Sequence, residues 1–362
     1  MTAATFLVDG QTPPIGGVFK NPRLARSLRL IAEGGRDAYY KGPIAEEIVR
    51  YARATGGFLS MEDFAAHGSI WVDPVSINYR GYDVFQCPPN GQGAGVLMML
   101  NILEGYDMPS MKHNSADYLH LSIEAKKLAY ADLYKFIADP TQAEVPIERL
   151  LSKEYAAERR ALINPRRAAP AVEPGVPMGS DTIYTTAIDE WGNACSFVHS
   201  VYSSFGSGIT GGETGIILQN RGSGFTLERG HANEYAPGKR PYHTIICGMV
   251  LKEGDLYISY GLMGGAMQPQ GHAQLLMSIL DRGFTIQEAV DLPRWRHNSG
   301  LNVSIEQGTP LSVIETLILM GHRATYSGGG SFGGSQVIMV DPATGTYFGA
   351  SDPRKDGAAI GY

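Results

Sequence analysis

Apolar residues recur at helical spacing through the first half of the chain. Leu24, Leu28 and Ile31 share one face of a run that Asn21 caps and Pro22 opens, and Gly34-Gly35 predicts its end. Ile44, Ile48 and Tyr51 mark a second helix, closed by Gly56-Gly57. Ser60 with Asp63 reads as a capping box with Asp in place of Glu. Residues 75–85 have the character of a strand, after which CPPNGQGAG turns into an apolar helix around 96–103. Ser115 starts a long helix to about Phe136, with Leu119, Ile123 and Leu128 inside. Residues 164–180, NPRRAAPAVEPGVPMGS, have no period and read as an exposed linker. Beyond them the pattern switches to strands. TIYTTAID and NACSFVHSVYS flank EWG, GMVLK and LYISYG flank EGD, and QVIMVD and TYFGASD flank a Pro/Gly turn, which predicts three hairpins. Helices interrupt at about 270–282 and 310–320. Hairpins rather than βαβ crossovers predict an α+β fold of antiparallel sheets covered by helices.

Composition narrows the function. The 362 residues are 43% apolar and 18% charged, which suits a folded chain of about two domains by length. With 30 Lys+Arg against 36 Asp+Glu and no basic stripe, nucleic acid is not an expected partner. No apolar run is long enough to span a membrane, and MTAATFLVDGQTPP lacks a signal-peptide pattern, so a cytoplasmic protein without membrane partners is expected. Cys87, Cys195 and Cys247 form no metal-binding spacing and read as buried thiols. The 45 glycines exceed the usual share, yet no dinucleotide fingerprint or P-loop lysine motif accompanies them, so phosphate binding does not explain them. No metal or organic cofactor is implied.

The candidate chemistry centres on Thr182. A linker runs straight into a strand that begins with this threonine. Cleavage between Asp181 and Thr182 would give the threonine a free α-amine of pKa about 7.7–8.0, able to act as base toward its own hydroxyl. Taken alone, a threonine at a strand start is also an ordinary β-propensity choice. Two glycine-rich segments, SSFGSGITGGETGIIL at 203–218 and GLMGGAM at 261–267, either aim backbone N–H groups at a developing oxyanion or make simple turns.

Taken together, GGRDAYYKGPIAEEIV, GYDVFQCPPNGQGAGVLMMLNILEGYD, DTIYTTAIDEWGNACS, FGSGITGGETGIIL, GKRPYHTI, GGAMQPQGH, DLPRW and GASDPRKDGAAIGY resemble the γ-glutamyltransferase family of N-terminal-nucleophile hydrolases, over almost the whole chain. The resemblance implies a four-layer αββα sandwich. It also implies a proenzyme that cuts itself into a large subunit, here 1–181, and a small subunit, here 182–362, sharing one sandwich. Thr182 would be the processing and catalytic nucleophile, attacking first the Asp181 carbonyl and then a substrate amide. Ser200 stands where a family threonine hydrogen-bonds the nucleophile. Gly264 and Gly265 align with the oxyanion-hole glycines, and Gly192 and Asn193 with a structural turn. The implied substrate is a small amide or peptide of the glutathione type.

Several positions depart from the family. Arg221 replaces an expected Gln, Gly224 an expected Asp, and Tyr202 an expected Asn, while His243 and Thr244 replace paired serines. Losing the Asp removes the counter-charge for a substrate α-ammonium, and Arg221 favours an anion instead. GKRPYHT followed by GGAMQPQGH looks closer to the acylase-like branch, with Arg221 and His243 as candidate carboxylate binders. Asp352 and Arg354 form a candidate supporting pair. Family precursors carry a long N-terminal stretch, including an arginine that clamps the substrate, which has no counterpart here, so the sandwich is expected to be incomplete at that end. Three readings follow: a γ-glutamyl transferase or hydrolase, a specialised amidohydrolase or β-lactam/glutaryl acylase, and an inactive truncated homologue.

Overall fold

Asn21 Oδ1 accepts a hydrogen bond from the Leu24 amide and caps the first long helix, Pro22–Tyr40. A computed structural model describes residues 1–170 and 181–362, with the backbone alone at 181. In it this helix passes the stop predicted at Gly34-Gly35. Gly35 takes φ 61°, the axis kinks, and helical geometry resumes to Tyr40. The second helix is Pro43–Ala54, and the Gly57 amide bonds Ala52 O at 2.7 Å beyond its end. The capping box forms as expected: Ser60 N donates to Asp63 Oδ2 at 2.8 Å and Asp63 N to Ser60 Oγ at 3.3 Å.

The chain gathers into two compact units, Met1–Val72 with Val201–Arg221, and Asp73–Ser200 with Gly222–Tyr362. In the first, the glycine-rich loop is stitched to the two long helices. Arg23 Nε meets Glu213 Oε2 at 2.5 Å, Glu213 N donates to Glu47 Oε1 at 2.8 Å, and Ser27 Oγ to Thr214 O at 2.8 Å. Gly215, at φ 71°, lets the loop approach so closely that a Cβ would lie 2.4 Å from Leu24 N.

Among the described residues the strands are β1 Val75–Tyr79, β2 Tyr82–Gln86, β3 Asp181–Ile188, β4 Ala194–Tyr202, β5 Gly248–Lys252, β6 Asp255–Met263, β7 Trp295–Ser299, β8 Asn302–Glu306, β9 Arg323–Ser327, β10 Gly334–Val340 and β11 Tyr347–Ser351. The single strand expected over 75–85 is a hairpin, turned by Arg80 and Gly81 at φ 51° and 86°, a geometry that matches strand twist. The three hairpins predicted in the second half form as read. β1-β2-β5-β6-β10-β11 make a six-stranded antiparallel sheet, and β3 pairs with β4. A division after residue 181 therefore cuts through shared structure, because β1 and β2 precede it and the other four strands of the sheet follow it. The β7-β8-β9 sheet and the Ile286–Asp291 helix are not apparent from the sequence, since WRHNS and its neighbours are short and lack clean alternation.

Alternation along β6 decides the layering, since successive side chains on a strand face opposite sides. Leu262 and Tyr260 point toward the Gln268–Leu280 helix, where Leu262 sits over Gly271 and the Tyr260 ring meets His272 edge to face. Gly261 and Ser259 point the other way, to β3: the Tyr184 ring lies on Gly261, and Thr186 Oγ1 meets Ser259 Oγ at 2.6 Å. The buried helices Gly93–Glu104 and Ala116–Phe136 join Gln268–Leu280 in the core. Helices, six-stranded sheet and β3–β4 thus stack in order within this unit, and the α+β expectation holds.

Two further sequence expectations change. The predicted linker at 164–180 is pinned over its first part. His120 Nε2 lies 2.8 Å from Asn164 O, Ala168 N donates to Met320 O at 2.7 Å, and Glu124 Oε2 accepts from Ala169 N at 3.1 Å. Those partners come from a helix some forty residues earlier and a loop far later (sequence separations of 44 and 45 for the two helix contacts), so local texture does not reveal them. Residues 171–180 lie outside the described residues. The cysteines are not all buried: Cys195 is exposed, and Cys87 and Cys247 are half-buried. Among the described residues no helix is long and apolar enough to cross a membrane.

A Cβ on Gly261 would lie 2.3 Å from the Tyr184 ring. Gly261→Ala should therefore lower stability by roughly 1–3 kcal/mol by forcing the two sheets apart. Urea unfolding midpoints of the two proteins measure this, and an unchanged midpoint would mean that β3 does not pack as described.

Candidate active site

Thr182 is the second residue of β3, almost fully buried at 4% exposure. Its hydroxyl donates to Ser200 Oγ on β4 at 3.0 Å. The structure thus brings together two of the residues singled out in the sequence. The peptide bond between Asp181 and Thr182 is the first link of the strand. The Tyr184 ring holds this end of β3 against Gly261 near the end of β6, and Gly264 follows directly after that strand. Tyr184 Oη shares a 2.7 Å hydrogen bond with Ser196 Oγ on β4.

Gly264 and Gly265 turn the chain from β6 into the Gln268–Leu280 helix. Gly264 takes φ 135° and ψ 23°, Gly265 takes φ 59°, and a Cβ on Gly264 would sit 3.1 Å from Gly333 Cα. Only glycine adopts the first of these conformations without strain. The following carbonyl, of Ala266, accepts from Tyr130 Oη at 2.5 Å and from Gln270 Nε2 at 3.0 Å. The turn is therefore fixed by side chains on two buried helices.

The sequence reading missed Gln92, which binds this turn to the 241–244 segment. Gln92 is fully buried, and its Nε2 donates to Gly265 O at 2.9 Å and to Thr244 O at 2.6 Å. Its Oε1 accepts from Tyr242 Oη at 3.2 Å. The only available signal was its place in a glycine-rich turn, PPNGQG, where a long polar side chain is out of character. Asn90 works beside it: Asn90 O accepts from His243 N at 3.1 Å and Asn90 Nδ2 donates to Pro241 O at 2.6 Å. Thr244 is buried, and its hydroxyl has no hydrogen-bond partner among the described residues. Gly224 sits so close to Tyr242 that a Cβ would lie 2.5 Å from its carbonyl oxygen, which explains sterically why no Asp stands there.

Arg221 and Tyr202 fall in the first unit, with the glycine-rich loop at 206–215. The Arg221 guanidinium lies 5.3 Å from the centre of the Tyr202 ring. Burial pulls the guanidinium below its usual pKa, and Tyr202 opposes the shift. Neither terminal nitrogen of Arg221 has a hydrogen-bond partner among the described residues. Tyr202 sits at φ 80°, a left-handed conformation that costs an aromatic residue of order 1–3 kcal/mol.

Asp352 and Arg354 do pair, at 3.1 Å, but within a larger buried cluster. Arg294 meets Asp352 at 2.7 Å, Arg354 meets Glu306 at 2.6 Å, and Ser335 N donates to Asp352 at 2.8 Å. Burial works against the Asp352 carboxylate, yet Arg294, the Arg354 and Ser335 amides and the Arg354 guanidinium outweigh it and hold its pKa below the ordinary value. The cluster ties the last strand to the β7–β8 region. His120, Glu124 and His322 offer donor atoms within 4.8 Å of one another, the geometry of a metal triad. Their chemistry is that of an internal network instead. Lys127 Nζ neutralises Glu124 at 2.7 Å, and the two histidines hydrogen-bond each other at 2.8 Å.

Replacing Gln92 by Leu strands the Thr244 and Gly265 carbonyls, a loss of about 1–3 kcal/mol for each buried group left unpaired. Gln92→Glu should be no better, because a carboxylate cannot donate to the two carbonyls. Urea midpoints measure both, and a wild-type midpoint in Gln92→Leu would show that the amide does not hold the turn.

With this geometry in hand, comparison with known proteins places the chain. The family model described as gamma-glutamyltranspeptidase matches residues 1–362. The glutathione hydrolase-like YwrD proenzyme of Bacillus subtilis is 42% identical over 99% of this chain and 69% of its own length. The glutathione hydrolase proenzyme of Escherichia coli is 34% identical over 99% of this chain and 64% of its own. The crystal structure of a cephalosporin acylase from Bacillus halodurans superposes with a TM-score of 0.92 at 41% identity, covering 99% of this chain and 66% of that one. The chain thus spans about two thirds of the length of these relatives. It belongs to the γ-glutamyltranspeptidase family.

Proposed function

We propose that this chain cleaves itself between Asp181 and Thr182 and then uses Thr182 to hydrolyse or transfer the acyl group of a small amide. The observation that carries this reading is the buried Thr182 hydroxyl held by Ser200 at 3.0 Å at the very start of β3. In cleavage, the Thr182 oxygen attacks the Asp181 carbonyl carbon and the C–N bond gives way to an ester, which water hydrolyses. The freed α-amine then serves as base for the same hydroxyl. Ser200 orients that hydroxyl. The amides around Gly264 and Gly265 are the candidate donors to the developing oxyanion, and the Gln92 clamp keeps their turn in place.

The acyl donor of this reading carries a carboxylate. Arg221 presents a guanidinium whose terminal nitrogens find no partner among the described residues, and Thr244 offers a buried hydroxyl that is likewise unsatisfied among them. His243, in the other unit, is a separate candidate carboxylate binder. Gly224 leaves no counter-charge for an α-ammonium. These features favour a glutaryl-type or other anionic acyl group over γ-glutamyl, in line with the similarity to a cephalosporin acylase. A γ-glutamyl donor of the glutathione type is the second reading, favoured by the relatives called glutathione hydrolases.

Intact-mass spectrometry should find two pieces, 1–181 and 182–362, in the wild type and one whole chain in Thr182→Ala. A folded wild-type protein that stays whole would overturn the proposal. Among a γ-glutamyl anilide, a glutaryl amide and an oxamate amide, the glutaryl compound should turn over fastest. Arg221→Ala should raise its KM by about tenfold or more, the worth of a charge-assisted bond. Faster turnover of the γ-glutamyl anilide would select the second reading.

A further inference from the structure

β2 and β5 run antiparallel and their ladder ends with Gln86 opposite Gly248; Cys87 follows β2 directly and Cys247 directly precedes β5, so extending the register by one step sets them opposite each other. Their Sγ atoms are 3.5 Å apart. Directly opposed residues in antiparallel strands have Cα atoms about 4.5–5.5 Å apart, inside the range a disulfide spans. Side-chain rotation alone can therefore bring the sulfurs to bonding distance. Both thiols are half-buried, within reach of a small oxidant, while the third cysteine, Cys195, is exposed on β4. Nothing in the proposed acyl-transfer chemistry uses any of them.

We infer that Cys87 and Cys247 form an oxidation-sensitive dithiol, and that its disulfide covalently joins the segment before Thr182 to the segment after it. The second clause rests on cleavage at Asp181–Thr182; the first stands without it. The oxidant is a hydroperoxide. The Cys87 thiolate attacks the terminal peroxide oxygen, the O–O bond breaks, and the other oxygen leaves as hydroxide (an alkoxide from an organic hydroperoxide), giving a sulfenic acid. The Cys247 sulfur then attacks the Cys87 sulfur, the S–O bond breaks, and the departing hydroxide takes the Cys247 proton as water. Two thiols lose two electrons, and the peroxide gains them. Either sulfur can donate in the Sγ–Sγ hydrogen bond; with Cys247 as donor, the bond holds the Cys87 thiol below its ordinary pKa against burial, and the same bond with burial pushes Cys247 up, so Cys87 is taken as the attacking thiolate. The link would tie together the two turns that carry Gln92 and Thr244, in register, after the chain is cut.

The test uses the full-length protein, treated with hydrogen peroxide, quenched, denatured, labelled with N-ethylmaleimide and mapped by mass spectrometry. The expected result is a Cys87–Cys247 cross-linked peptide two hydrogens lighter than its parts, with label on Cys195 alone and all three cysteines labelled after dithiothreitol. Cys195→Ser should keep the cross-link, and Cys87→Ser should lose it. On a non-reducing gel the cut, oxidised protein should run as one species that separates into two on reduction. Label on both Cys87 and Cys247 after oxidation, over-oxidation of either without a cross-link, or a cross-link through Cys195 would each overturn the inference. If reduced intact mass shows an uncut chain, the cleavage reading fails, while the peptide map still scores the dithiol.

Discussion

The packing of β3 on β6 is the constraint on which the rest of this molecule depends. A full aromatic ring, Tyr184, occupies the space that a side chain at position 261 would need, so the two sheets meet at the distance set by a glycine opposite a tyrosine. That contact fixes the start of β3, and with it Thr182, near the strand that ends at the Gly264–Gly265 turn. The neighbouring residues of β6 face the other way and carry the helical layer. One strand, through alternation alone, therefore serves both the core and the site.

A second level of order comes from buried polar side chains. Gln92, Tyr130 and Gln270 all terminate on carbonyls at or beside the glycine turn. A glycine pair has no side chain with which to hold its own conformation, and its backbone freedom must be removed by its neighbours. Hydrogen bonds inside a dry core do this well, because the groups have no water to compete for and a broken bond leaves an unsatisfied partner. The same logic explains the Ala116–Phe136 helix. His120, Glu124 and Lys127 are polar yet buried, and each is spent on another buried group or on the backbone at 164–169.

The charged cluster of Arg294, Glu306, Asp352 and Arg354 closes the chain end. Its two guanidiniums and two carboxylates balance within the cluster. Such a cluster adds specificity of arrangement more readily than raw stability, since desolvation consumes much of the Coulomb gain. Its partners lie within one unit with Thr182, but their bonds run to each other and to the backbone of that unit, as expected of a brace.

Much of the fold was legible because its signals are local. Asn21 with Pro22, Ser60 with Asp63, Ser115, and the three hairpin turns each work through atoms a few residues apart, so the sequence specifies them directly. The linker running into a threonine-led strand pointed to Thr182 and the paired glycines of GLMGGAM to Gly264 and Gly265, whereas Ser200 was indicated only by the resemblance to the γ-glutamyltransferase family. What the sequence could not decide is everything that depends on partners remote in the chain. Gln92 looks like a turn residue until Thr244 and Gly265 arrive beside it; 164–169 looks like free linker until His120 and Glu124 bind it; Cys87 and Cys247 look like unrelated thiols until β2 and β5 pair. In each case the energy resides in a contact made across roughly forty to a hundred and seventy residues, as with the separations of 44 and 173 for His120 and Gln92. Local pattern carries no record of such contacts, and only closing the chain into its tertiary structure brings the atoms within hydrogen-bonding distance.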